Sequence, residues 1–165
     1  MSRGKLLDIV GLIACIILAL HLGHTYGHLV LPHPTPPVPY KIGQQLTDTK
    51  ALSLSSSNKT LVLAASSTCP YCERGMPFYQ RLAMEAKRAH VRFIAVTSED
   101  TSHYREHLLT KGVELESVEP LKDNLEHIRS TPTLILAGRD GKVLNCWVGL
   151  LTDVQQTQVL RSLYK

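Results

Sequence analysis

The sequence predicts an α/β fold, a mixed β-sheet flanked by helices, with a transmembrane helix before it. Three observations predict this fold. Apolar segments at 60–66 and 91–98 are each followed by a longer segment with helical periodicity. Two further apolar segments, within 130–150, flank the turn signal Asp140-Gly141. No Asp, Glu, Lys or Arg occurs in the 23 residues from Ile9 to Leu31. Strands that alternate with helices and then form a hairpin indicate a layered mixed sheet.

Composition limits the classes of function. The 165 residues suffice for one folded domain with additional segments. Lys and Arg total 18 against 14 Asp and Glu, a net charge of +4, and the basic residues are scattered. This distribution argues against a nucleic-acid partner. The four cysteines are too few for a small fold held by disulfides.

The N-terminal segment 1–31 is interpreted as a cytoplasmic tip and a signal-anchor helix. As a helix, its 23 uncharged residues would extend about 35 Å, enough for a hydrocarbon core of about 30 Å. Arg3 and Lys5 precede this stretch and favour a cytoplasmic N-terminus. Two alternatives remain open: a cleaved signal peptide, with a weak site at Thr25-Tyr26-Gly27, and a lipoprotein signal at Leu12-Ile13-Ala14-Cys15.

A proline-rich spacer follows at residues 32–40. The stretch 31–40 contains five prolines, which favour an extended backbone and a semi-rigid connection. The folded domain is then expected over residues 41–165, a length that can bury its own core.

Within this domain the elements are predicted in order. Residues 51–54 could form an edge strand and 60–66 a buried strand; a helix runs from Pro70 to about His90, with apolar residues that include Met84. Residues 91–98 form a second buried strand, followed by a helix that ends before Gly112. A short strand lies in 113–120, a short helix in 121–129, and a hairpin in 130–150.

The last predicted helix begins at Thr152, which forms a capping box with Gln155. Val154, Leu160 and Leu163 are expected to face the sheet. This helix completes the α/β layer arrangement.

The stretch 66–77, SSTCPYCERGMP, contains the candidate catalytic residues. Cys69 follows a buried strand and precedes a helix, whose unpaired N–H groups and positive partial charge stabilise a thiolate. Cys69 is therefore the predicted nucleophile, and Cys72, one turn further, the resolving cysteine. A metal clip and a purely structural disulfide are the alternatives. Zinc would normally need two further ligands, and a four-residue loop constrains little chain.

Residues 58–150 resemble the thioredoxin superfamily. The resemblance rests on Cys69-Pro70-Tyr71-Cys72 after a strand, on Pro77, and on Ser130-Thr131-Pro132-Thr133 at the start of the hairpin. It implies a thioredoxin-like sheet in which a cis Pro132 lies opposite the cysteine pair. Pro70, Tyr71, Thr131 and Pro132 are then the expected substrate-binding residues. No metal and no organic cofactor is implied, because the cysteines themselves carry the electrons.

Within the superfamily the chain looks most like membrane-anchored TlpA/ResA-type thiol–disulfide oxidoreductases. Two features depart from that pattern: Thr68 stands where a Trp is usual, and the strand LVLAAS has no acid behind Cys72. The resemblance implies an exported domain on the periplasmic side of the cell inner membrane. It modestly favours reduction of protein disulfides, with electrons from a membrane partner protein, over an isomerase or oxidant function.

Three other classes of function fit parts of the sequence less well. A copper-handling assembly factor would use the cysteines with histidines, and His21, His24 and His28, or His103 and His107, recur at helical spacings. Surface polar residues are the simpler interpretation of both sets. Peroxide reduction is disfavoured because Thr68 and Cys69 are adjacent and the Thr-x-x-Cys pattern of peroxiredoxins is missing. The intact cysteine pair argues against a non-catalytic scaffold. Cys146 could be a third thiol at the redox centre, but a buried apolar role is the favoured interpretation.

Overall fold

The structure is a computed structural model, which describes residues 12–22, 40–46, 52–121, 125 and 127–165. The chain divides into two units, Met1–Pro34 and Thr35–Lys165. In the first unit, residues 12–22 form a helix, α1, whose apolar side chains are exposed. Among the described residues, no helix is both long and apolar enough to span a membrane. Most of the predicted anchor and spacer lies outside these residues, so both stay predictions.

The second unit contains a five-stranded mixed sheet with strand order β3-β2-β1-β4-β5. The strands are β1 (Lys59–Ala64), β2 (Arg92–Thr97), β3 (Ser117–Pro120), β4 (Thr133–Gly138) and β5 (Val143–Val148). The first three strands are parallel, and β4 and β5 pair antiparallel. The predicted mixed α/β sheet is therefore confirmed.

The described residues of this unit form three α-helices: α2 (Pro70–Arg88), α3 (Thr101–Thr110) and α4 (Asp153–Leu163). Buried side chains of all three pack against one face of the sheet, around Leu61, Leu63 and Phe93. Successive side chains of a strand point to opposite faces, and Val62 and Ala64 therefore belong to a second cluster. Residues from 40–46 and 52–54 cover that other face.

Side chains cap the starts of α3 and α4. Asp100 accepts a hydrogen bond from the His103 N–H at 2.8 Å at the start of α3. The capping box of α4 is confirmed: Gln155 N–H donates to Thr152 Oγ1 at 3.4 Å, and Thr152 N–H to Gln155 Oε1 at 2.9 Å. The hairpin turn is also confirmed, with Gly141 at φ 79° between β4 and β5.

Some details of the sequence interpretation were wrong. Residues 52–56 form a turn and a short 3-10 helix (Leu54–Ser56) instead of an edge strand; Leu54 packs into the core. Met84 and Val154 are exposed at 58% and 69%, because each lies beside the buried stripe of its helix. The short helix predicted over 121–129 falls largely outside the described residues.

Candidate functional site

Cys69 lies at the junction of strand β1 and helix α2, where it is the N-cap residue. Its sulfur accepts a hydrogen bond from the backbone N–H of Cys72 at 3.2 Å. Pro70 occupies the first helical turn, where its missing N–H leaves no donor unpaired. The sequence thus places a sulfur where side-chain oxygens usually cap helices, in line with the free N–H groups of the first turn.

The surroundings of Cys69 favour its ionised form. Partial burial raises the pKa of this thiol, but hydrogen bonds from the Cys72 thiol, the Thr131 side chain and the backbone at Cys72 and Tyr71 outweigh it, so the net pKa is lowered. One contact acts in the opposite direction: the protonated Cys69 thiol donates to the Thr131 carbonyl oxygen at 3.3 Å. That contact exists only in the thiol form, whereas the Cys72 N–H favours the thiolate.

Cys72 differs from Cys69 in its burial and in the direction of its pKa shift. Its side chain is fully buried in the cluster beneath α2. Burial, followed by the hydrogen bond to Cys69, raises the pKa of the Cys72 thiol. All described cysteines are free thiols. The pair therefore consists of one half-buried sulfur with a lowered pKa and one buried sulfur with a raised pKa, as nucleophilic attack followed by resolution requires.

The loop before β4 approaches the cysteine pair from the other side. The Thr131–Pro132 peptide bond is cis, as predicted. The Pro132 carbonyl accepts a hydrogen bond from Gly149 N–H at 2.8 Å, which ties this loop to the end of β5. Pro132 is buried and Thr131 half-buried, and the Thr131 carbonyl oxygen is the one that contacts Cys69. The structure thus brings Thr131 next to Cys69.

Pro70 and Tyr71 lie on the surface beside the nucleophile. Pro70 is exposed and Tyr71 is exposed at 50%, so both could contact a bound protein. Their expected substrate-binding role, like that of Thr131 and Pro132, stays a prediction.

Two acidic residues near the pair make contacts that the sequence did not suggest. Glu73 forms an ion pair with Lys111, and its carboxylate lies 3.4 Å from His107 Nε2, so it links the first turn of α2 to α3. Glu99 accepts two hydrogen bonds from Ser67, in the loop that precedes Cys69. The sequence contained a signal for the Glu99 contact: residues 67–68 and 99–100 each follow one of two predicted strands, whose carboxyl ends meet if the strands are adjacent and parallel.

Cys146 does not face the redox centre. It pairs with Ile135 across the hairpin, and both belong to the cluster on the opposite face from Cys72. Burial raises the pKa of its thiol to about 11. The favoured interpretation of Cys146 as a buried apolar residue is confirmed.

Within the described part of the chain, no three His, Cys, Asp or Glu side chains are close enough together to hold a metal ion. His107 stacks on Tyr104, with ring centroids 6.0 Å apart, and faces Glu73. His24 and His28, from the N-terminal set, lie outside the described residues.

Residues 47–163 match the sequence profile of the thioredoxin-like domain family. No curated protein is significantly similar to this chain in sequence. The structure of StoA from Bacillus subtilis is 22% identical and superposes with a TM-score of 0.50 over 62% of this chain and 82% of its own.

Two further structures are similar. A thiol:disulfide interchange protein from Bacteroides sp. is 15% identical, with a TM-score of 0.56 over 79% of this chain and 89% of its own. A thioredoxin family protein from Chlorobium tepidum TLS, described as a thiol:disulfide interchange protein, is 17% identical, with a TM-score of 0.55 over 82% and 100%. At these identities the similarity shows a shared fold.

Proposed function

This chain belongs to the thioredoxin-like domain family, and from that premise we propose that it is a membrane-anchored thiol–disulfide oxidoreductase acting on exported proteins. The observation that carries the proposal is the asymmetry of the cysteine pair. Cys69 accepts the Cys72 N–H at a helix N-terminus and has a lowered pKa, while Cys72 is buried with a raised pKa. The outer sulfur is therefore the one that ionises more readily.

The reaction has two steps. The Cys69 thiolate attacks one sulfur of a client disulfide, so that the Cys69–sulfur bond forms, the client S–S bond breaks, and the departing client thiolate takes up a proton. Cys72 then gives up its proton and attacks the Cys69 sulfur, which releases the second client thiol. The client disulfide has gained two electrons, and the enzyme now holds a Cys69–Cys72 disulfide.

The reducing direction is part of the proposal. It is supported by the resemblance of residues 58–150 to TlpA/ResA-type proteins. The lowered pKa of Cys69 supplies thiolate for the first attack, and Cys72 releases the reduced client, but a stabilised thiolate does not by itself favour reduction. Because exported compartments are oxidising, a membrane-bound dithiol protein must return electrons to the Cys69–Cys72 disulfide. The similar proteins from Bacteroides sp. and Chlorobium tepidum TLS are described as thiol:disulfide interchange proteins, which supports exchange chemistry in either direction.

Location is proposed from the sequence. The uncharged stretch from Ile9 to Leu31, preceded by Arg3 and Lys5, would anchor the chain in the cell inner membrane with its domain on the periplasmic side. The prolines of residues 32–40 would keep the domain away from the bilayer.

A trapping experiment tests the proposed chemistry. The full-length Cys72→Ala variant should accumulate clients that are disulfide-linked through Cys69, and a Cys69→Ala/Cys72→Ala double variant is the matched control. Equal capture by both would overturn the exchange mechanism. A measured reduction potential tests direction: a value near or below about −200 mV supports a reductase, and one near about −120 mV an oxidant.

Membrane attachment has its own test. Full-length protein should sediment with membranes and resist extraction by high salt, whereas a chain that begins at residue 41 should not. A full-length chain released by salt alone would contradict the anchor.

A further inference from the structure

We propose that Thr133 is a positioning residue that orients the backbone of Thr131 for recognition of a protein client. The inference rests on the proposed disulfide exchange and deepens it, because it identifies a contact that distinguishes protein disulfides from small ones. Thr133 is the first residue of strand β4, directly after the loop whose Thr131 carbonyl contacts Cys69.

The sheet holds Thr133 on both sides. Its backbone pairs with Ala64 of β1 and with Val148 of β5, and its side chain is fully buried. The Thr133 hydroxyl donates to the Ser130 carbonyl at 2.7 Å. Because a buried hydroxyl without a partner is costly, this hydrogen bond ties the Ser130 carbonyl to a rigid part of the sheet.

The Ser130 carbonyl and the Thr131 N–H belong to the same peptide group. This peptide bond is trans. In a planar trans peptide the carbonyl and the N–H point in opposite directions. With the carbonyl directed at Thr133, the Thr131 N–H points away from Thr133, and no acceptor for it occurs among the described residues. The Thr133 hydroxyl thus orients a free backbone donor.

The loop is also fixed after Thr131. The Thr131 carbonyl lies 3.3 Å from the Cys69 sulfur, and the next carbonyl, of Pro132, accepts the Gly149 N–H at 2.8 Å. Thr131 therefore lies between two hydrogen bonds, one from the Thr133 side chain and one from the Gly149 backbone. Its free N–H is held on the same residue that contacts the nucleophile.

A protein client brings its own backbone to this donor. When Cys69 attacks, the client sulfur comes within bonding distance of the Cys69 sulfur, so the residues beside the client cysteine lie next to Thr131. A client carbonyl can then accept the Thr131 N–H, as in strand addition. Because the donor is already oriented, this contact costs little ordering entropy. A small aromatic disulfide has no backbone carbonyl and gains nothing from it.

Loss of the Thr133 hydroxyl should release this peptide group. In Thr133→Val the Ser130 carbonyl loses its partner, and an unpaired carbonyl is stabilised by turning towards water. The Thr131 N–H turns with it, because the peptide group is rigid. Thr133→Ser keeps the hydroxyl and should keep the orientation of the donor.

The test compares a protein disulfide with a small one. The parent is the reduced full-length protein with Cys15 and Cys146 replaced by Ala, and its oxidation is followed after mixing with insulin or with the aromatic disulfide DTNB. In Thr133→Val the rate constant for insulin should fall by about fivefold, the scale of one net hydrogen bond, while that for DTNB changes by less than about twofold. In Thr133→Ser both should stay within about twofold of the parent.

Thr60→Val is the matched control. Thr60 is also fully buried in the sheet, and its hydroxyl lies 3.1 Å from that of Ser57, at the opposite end of β1 from Cys69. Both rate constants in this variant should match the parent. Three results would overturn the proposal: equal slowing with both disulfides in Thr133→Val, an unchanged insulin rate in that variant, or an equally slow insulin rate in Thr133→Ser.

Amide hydrogen exchange tests the same donor if Thr133→Val does not fold. In Cys72→Ala, Cys69 is converted to a mixed disulfide either with an insulin chain or with a methylthio group. The Thr131 amide should exchange about tenfold more slowly in the insulin adduct, since only that adduct supplies a backbone acceptor. Equal exchange in the two adducts would also overturn the proposal. Failure of the proposed function looks different: the parent itself would then reduce neither insulin nor DTNB.

Discussion

The backbone N–H of Cys72 points at the sulfur of Cys69, 3.2 Å away, at the first turn of helix α2. The contact joins the two reactive residues through the backbone of one and the side chain of the other. Because an N–H donor stabilises an anion more than a neutral thiol, it favours ionisation of the outer sulfur. The backbone of Cys72 thereby promotes ionisation of Cys69, whereas the Cys72 thiol reacts only in the later step.

The first prediction concerns this ionisation. The rate of Cys69 alkylation by iodoacetamide should rise with pH as the thiolate fraction rises, with a midpoint below the pH of about 8.5 typical of free cysteine. Peptide-level mass spectrometry separates Cys69 from the other cysteines. In Cys72→Ala the backbone N–H remains but the thiol hydrogen bond is lost, so the midpoint should move upward. A wild-type midpoint at or above that of free cysteine would contradict the assignment.

A second prediction concerns Thr131. Its side-chain hydrogen bond lowers the Cys69 pKa, so Thr131→Val should raise the midpoint of the same alkylation profile. The carbonyl contact of Thr131 with Cys69 involves the backbone and is retained in this variant. Thr157→Val, on the exposed side of α4, is the matched control and should leave the profile unchanged. A midpoint in Thr131→Val that is lower than in wild type would contradict the prediction that Thr131 lowers the Cys69 pKa.

The pattern of the sequence predicts the cysteine pair well and the residues around it less well. A Cys-x-x-Cys after a buried strand places both sulfurs on one helix turn, because the spacing is local. Thr131 lies 62 residues from Cys69 in the sequence. Only the resemblance to the thioredoxin superfamily predicts that the two residues are in contact. Glu99 and Ser67 are 32 residues apart, and their contact depends on the parallel pairing of β1 with β2.

The hydrophobic pattern also could not predict which face of the sheet each side chain of β4 and β5 occupies. Every residue of β4 is buried, so its sequence has no polar alternation to show which side faces α2. Cys146 pairs with Ile135 and lies on the far face, whereas Trp147 pairs with Leu134 on the face of the cysteine pair. Register across the hairpin decides this, and a one-residue shift would have exchanged the two.

A third prediction uses a buried hydroxyl. Tyr104 is fully buried beside the same cluster as Cys72, and its hydroxyl has no hydrogen-bond partner within the described structure. An unsatisfied buried hydroxyl costs about 1–3 kcal/mol. Tyr104→Phe should therefore leave the free energy of unfolding unchanged or increase it, as measured by urea denaturation. In Tyr164→Phe, an exposed hydroxyl that donates to Glu85 at 2.7 Å is lost, and only a small decrease is expected. A large loss of stability in Tyr104→Phe would show that its hydroxyl has a partner.

The fourth prediction links Cys146 to stability at high pH. Burial raises its folded-state pKa to about 11, above the value of about 8.5 expected in the unfolded chain. The unfolded chain therefore loses this proton first. The contribution of the Cys146 thiol to the free energy of unfolding is fully present below pH about 8.5. It is lost as the pH rises towards about 11, with a slope of up to about 1.4 kcal/mol per pH unit.

The stability difference between wild type and Cys146→Ala isolates this contribution from the titration of Lys and Tyr. Urea denaturation under reducing conditions should show a difference that is constant between pH 7 and 8 and shrinks by pH 10. Val143→Ala removes apolar atoms from the same cluster without a titratable group, so its effect should be the same at every pH. A Cys146→Ala difference that stays constant up to pH 10 would mean that this thiol is accessible to solvent in the folded protein, contrary to its place behind the sheet.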